Sequence, residues 1–137
     1  MGKTVLWIVA VLILGGVISA VIPKAPPSVE TATDEHQEIP SASAIEAAKS
    51  AIKAEPKVKD FIYQPGQAVE WQIGVLDDGT SRVGYANYIC ELLAEHGVSE
   101  DRTQVRVVDI AKVAAGTNFR SASLGHVACA DRRVIIP

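Results

Sequence analysis

The sequence is poor in the residues that most often carry chemistry. It holds two cysteines, three histidines, one methionine and seven aromatic residues among 137. The cysteines form no Cys-x-x-Cys, so the dithiol redox and haem-attachment patterns are absent. His36, His96 and His126 are scattered without ligand spacing. His126 and Cys129 lie three apart; on a strand they face opposite ways and cannot chelate one ion. No Gly-x-Ser-x-Gly elbow frames a serine. Asp77-Asp78-Gly79 lacks the remaining positions of a calcium loop and reads as a turn. No cofactor is implied by any motif.

Positive charge is also scarce. Residues 42–137 carry eleven Lys or Arg against twelve Asp or Glu. A nucleic-acid binder needs a basic face to neutralise phosphates, and none is visible, so no nucleic-acid partner is expected. The net charge of −3 is carried by residues 24–41, where Glu30, Asp34, Glu35 and Glu38 outweigh Lys24.

What the chain does have is one long apolar run. Thr4 to Ile22 is 19 residues without a charge. At about 1.5 Å per residue it gives roughly 28 Å of helix, close to the hydrocarbon thickness of a bilayer. A cleaved signal peptide would have a shorter apolar core and small residues at the cleavage site. Here the best site, after Ala20, has bulky Ile18 three residues before the cut. Residues 1–23 are therefore expected to be an uncleaved anchor, contacting the membrane through 4–22. Lys3 precedes the run and acidic residues follow it, which favours a cytoplasmic N-terminus and an exported C-terminal domain. Gly15 with Ser19, and Gly16 with Ala20, are small-xxx-small pairs that could seat a partner helix.

Residues 24–41 follow as a Pro-rich acidic linker with almost nothing to bury, the composition of a disordered tether. His36 within it reads as a solvated side chain.

Residues 42–137 carry the patterns of a small domain. Ser43-Ala-Ile-Glu46 matches a capping box, and the helix it opens ends at Pro56. Its stripe of Ile45, Ala48 and Ile52 is thin, which predicts loose packing. Phe61-Ile-Tyr63 is a short apolar stretch before the Pro65-Gly66 turn signal. Val69, Trp71, Ile73 and Val75 alternate with Glu70, Gln72 and Gly74, a half-buried strand with Trp71 on its core face. Asp77 to Ser81 supplies a turn and then capping residues. From Arg82 to His96 the apolar positions Val83, Ala86, Ile89, Cys90 and Leu93 recur at helical spacing, and Gly97 stops the helix. Val105–Ile110, Leu124–Cys129 and Val134–Ile136 read as strands, with a helical turn over Ala111–Ala115. The expected class is α+β, a two-layer sandwich with one main helix on a sheet of three to five strands.

Cys90 lies on the core stripe of the main helix and Cys129 near the C-terminus. An exported domain this small commonly joins two such cysteines. Closing the loop of about 40 residues stabilises by about 3–4 kcal/mol in the chain-entropy model.

Two positions invite a functional reading. Thr80, Ser81 and Arg82 open the main helix, where free amide groups, hydroxyls and a guanidinium suit a carboxylate or phosphate. Ordinary N-capping uses the same residues and is the plainer reading. Arg102, Arg106, Arg120, Arg132 and Arg133 form a second set whose proximity a single sequence does not reveal. A catalytic group built from His126, Ser121, Ser123 and Asp109 is the weakest of these readings. The leading expectation is a non-enzymatic accessory or interaction protein of the cell envelope, a small subunit of a larger membrane assembly with a protein partner. A carboxylate-binding sensory or solute-binding module and a small hydrolase are the alternatives.

Overall fold

The structure is a computed structural model and describes residues 39–136. The expected membrane helix, its small-residue pairs at Gly15, Gly16, Ser19 and Ala20, and residues 24–38 of the linker lie outside the described residues. Among the described residues no helix is long and apolar enough to cross a membrane.

The described chain is a small α+β domain: α1 (Ala42–Ala54), β1 (Asp60–Gln64), β2 (Val69–Val75), α2 (Val83–Glu95), β3 (Thr103–Asp109), α3 (Ile110–Ala114) and β4 (Ser123–Ala128). The strands form one mixed sheet in chain order. β1–β2 and β3–β4 are antiparallel, whereas β2 and β3 are parallel. Parallel neighbours need a crossover, and α2 supplies it.

Alternation along the central strands sorts the side chains. Val69, Trp71, Ile73 and Val75 of β2, with Val105 and Val107 of β3 and Val127 of β4, form a buried core with α1 and α2. Trp71 is fully buried, with Tyr63 of β1 at a ring distance of 4.6 Å. From α2 come Ala86, Ile89, Cys90 and Leu93, as the helical spacing predicts. Gly97 takes the left-handed conformation at φ 68° and Val98 N–H reaches back to Leu93 O, closing the helix end.

Three expectations are corrected, and one open stretch is assigned. The cap of α1 is Ser41, whose hydroxyl accepts from Ala44 N, so Ser43 lies inside the helix. This helix is not loosely held: Ala48 and Ile52 are wholly buried. Glu55 after it accepts from the Tyr88 hydroxyl at 2.7 Å, tying α1 to α2. The stretch at Phe61 to Tyr63 belongs to strand β1, paired across to Trp71 and Ile73. Val134–Ile136 is not a strand but makes a single bridge, Val127 to Val134. Arg132 just before it sits at φ 59°, turning the chain so that it meets β4 only briefly.

Cys90 and Cys129 are joined, with their Cα atoms 5.3 Å apart. The bond ties α2 to the end of β4 across a sequence separation of 39. At the other end of β4, Gly125 lets the start of α2 pass against the strand. A Cβ there would lie 2.6 Å from Val83 N and 2.7 Å from the Arg82 carbonyl carbon. Arg82 N–H donates to Leu124 O at 2.9 Å beside it.

Two outcomes are expected in urea unfolding followed by Trp71 fluorescence. Reducing the disulfide lowers stability by about 3–4 kcal/mol; an unchanged midpoint counts against the bond. Gly125→Ala destabilises by about 2 kcal/mol or more, because backbone rather than a movable side chain blocks the new methyl. Gly84→Ala, where a Cβ meets nothing within 4 Å, is neutral or stabilises by up to about 1 kcal/mol.

Candidate functional site

The sheet face turned away from α1 and α2 is polar but not a solvent face. The alternation of β2 suggests that Gln72 is exposed, yet it is only 6% exposed. Its neighbours explain this. Gln72 lies opposite Arg106 on β3, and Arg106 lies opposite His126 on β4. Gln72, Arg106 and His126 thus form one row across the middle of the sheet, each about nineteen parts in twenty buried. Ile110 of α3 packs on Gly74, and Phe119 in the following loop borders the same face.

Arg106 Nε donates to Glu70 Oε1 at 2.8 Å, in the innermost ion pair of the domain's described residues. Gln72 Nε2 donates to Gln64 Oε1 at 3.1 Å and leans on Glu70 Oε1 at 3.4 Å. His126 Nε2 meets Gln104 Oε1 at 3.1 Å. Three atoms in this row are buried without a hydrogen-bond partner: Gln72 Oε1, Arg106 Nη1 and His126 Nδ1. Buried polar atoms are nearly always satisfied, so these three leave the row with unused hydrogen-bonding capacity.

Burial, and after it the Arg106 guanidinium, push the His126 imidazole down to about 4; Arg120 adds to the fall and Glu70 opposes it. His126 is therefore neutral at pH 7.

Beside this row lies a groove of about 360 Å³ lined by Gln64, Glu70, Gln72, Arg106 and the loop residues Asn118 to Arg120. A smaller apolar slot of about 60 Å³ shares Gln72 and Phe119 with it and is walled by Ile62, Val108, Ile110 and Val113.

The five arginines singled out from the sequence divide. Arg106 and Arg120 come together on the groove. Arg102 bonds Glu100 and Gly66 O, Arg132 donates to Asn87 O, and Arg133 bonds Asp131. Of Thr80, Ser81 and Arg82, only Arg82 borders a depression, a different one lined also by Lys57, Lys59, Asp77 and Asp78. There the Thr80 hydroxyl donates to Asp78 at 2.6 Å and Arg82 pairs with the same carboxylate at 2.8 Å. The turn thus carries a carboxylate of its own. Asp109 caps α3 by accepting from Ala111 N. His126 is met by an amide side chain instead. Sequence reasoning missed Gln64, Gln72 and Phe119; only the register and the course of the 115–122 loop bring them to Arg106.

Compared with protein-family models, with curated proteins and with solved structures, the chain finds no match. Function therefore has to be sought in the site's own chemistry.

A pH prediction follows from His126. Its folded pKa of about 4 lies below the unfolded value of about 6.5, so the unfolded chain binds the extra proton. The stability contribution is complete above pH 6.5 and is lost as pH falls toward 4. At pH 4.5 the loss amounts to about 2.5 kcal/mol, and His126→Gln removes that part of the pH dependence. An NMR titration placing the His126 midpoint at 6 or above would show the burial argument to be wrong.

Proposed function

We propose that this protein is a single-pass, membrane-anchored accessory protein that presents a binding domain outside the cytoplasm. The Cys90–Cys129 bond is the observation that carries the reading. Disulfides persist in oxidising compartments and are rare in reducing ones. The 19-residue uncharged run from Thr4 to Ile22 supplies the anchor, and residues 24–41 supply the reach. The linker could extend on the order of 60 Å as a polyproline-like chain, enough to hold the domain clear of lipid headgroups.

Work by binding, rather than by bond-making, fits the polar face. His126 meets the Gln104 amide at 3.1 Å, and Asp109 is committed to capping α3. A nucleophile, a base and an orienting acid need to be brought together for acyl transfer. The groove at Arg106 and Arg120 instead suits recognition, and it favours the carboxylate-binding form of this reading over the turn at Thr80–Arg82.

A reporter enzyme active only outside the cytoplasm, fused after Pro137, is expected to be active. A second reporter that works only in the cytoplasm is expected to be silent at the same position. The reverse pattern sinks the proposal. The chain should also stay with the membranes through an alkaline carbonate wash, be released by detergent, and run at its full 14.5 kDa; a shortened, soluble product would mean that the run is cleaved.

A further inference from the structure

The groove on the polar sheet face has more positive charge than its single acid can match. Arg106 is 6% exposed and spends only Nε on Glu70. Its Nη1 is buried without a partner, and among the described residues Nη2 makes no hydrogen bond either. Arg120, which lines the same groove, is exposed and forms no ion pair or side-chain hydrogen bond among the described residues. A guanidinium held in place by its own backbone register and one ion pair, with Nη2 and the buried Nη1 unpartnered, keeps donors in reserve for a carboxylate.

From these observations we infer that the groove binds a small carboxylate carrying a short aliphatic substituent, with the carboxylate between Arg106 and Arg120 and the substituent in the slot beside Phe119. The inference rests on reading the domain as a binding module, but not on which side of a membrane it stands. The slot decides between anions. Its walls of Ile62, Val108, Ile110 and Val113 are apolar and its one charged lining residue, Asp60, repels a phosphate oxygen, whereas an aliphatic group there leaves water for an apolar surface. The domain is nearly neutral and the whole chain is acidic at −3, so this local positive excess is not a by-product of a basic surface. The same chemistry is offered by a free branched-chain acid and by a peptide ending in an aliphatic residue with a free C-terminus.

The test uses the full chain in detergent micelles, labelled with ¹⁵N, titrated in parallel with isovalerate, acetyl-Ala-Leu, the amide of that dipeptide, and inorganic phosphate. Saturable shifts are expected for the two carboxylates, centred on Gln72, Arg106 and Phe119. The amide should bind about tenfold more weakly or not at all, because it lacks the charge the arginines recognise. Whichever carboxylate binds more tightly identifies the source of the ligand. Arg120→Gln, at an exposed position whose side chain supports no other residue, should weaken both about tenfold while leaving the rest of the spectrum in place.

The inference is overturned if neither carboxylate gives saturable shifts, if the amide or phosphate binds as well, or if the shifts centre on Thr80–Arg82. It is equally overturned if Arg120→Gln binds within twofold of the natural protein. None of these results touches the membrane reading, which the reporter fusions decide separately.

Discussion

The parallel pairing of β2 with β3 is the constraint on which the rest of the domain depends. Seven residue pairs, from Val69 with Thr103 to Val75 with Asp109, lock the two strands together. Because the strands run the same way, the chain between them must cross over the sheet, and α2 is the crossover. Strands at the centre of such a sheet are covered on both sides. One side is the apolar core under the helices. The other is built on the alternate residues of the same strands, among them Glu70, Gln72, Arg106 and, from β4, His126. The core and the groove are thus two sides of one ladder, and a one-residue slip would exchange them.

Burying charge on the second side has a cost that the register offsets. A guanidinium removed from water is tolerated when it is paired. Glu70 stands diagonally across the ladder from Arg106 and takes Nε at 2.8 Å. It can do so because residues of the same face lie two apart along each strand. One carboxylate for two guanidinium groups leaves the region short of negative charge; burial is the main reason the neighbouring imidazole gives up its proton, and Arg106 adds to it.

Much of the architecture was legible in the sequence, and for physical reasons. The core stripe of α2 repeats every three or four residues with charged Glu91 and Glu95 kept outside, so its period identifies it. Gly97 marks the helix end because the left-handed conformation there suits glycine. Trp71 on an alternating strand had only one apolar side to join. The groove was much less legible. Arg106 and Arg120 are fourteen apart, separated by a strand end, a one-turn helix and a loop, and nothing local brings them together. Gln72 looks like a solvent-facing residue from alternation alone, since the 110–122 segment that shelters it comes much later in the chain. Ser41 and Ser43 both fit a cap; which one is used depends on where the chain enters the helix.

The edges of the sheet have a consequence for molecules held close together. The outer side of β4 is taken along its length: Leu124 O by Arg82, His126 O by Ile135, and Ala128 N–H by Arg133 O. At the opposite edge, on β1, Phe61 N–H is occupied by the Asp60 carboxylate at 2.8 Å. Unpaired strand edges are templates on which one chain recruits another. Confinement to a surface raises effective concentration, and with it the rate of such encounters. A sheet whose far edge is covered by its own chain offers no site there for an added strand, so strand addition could extend it on the β1 side alone.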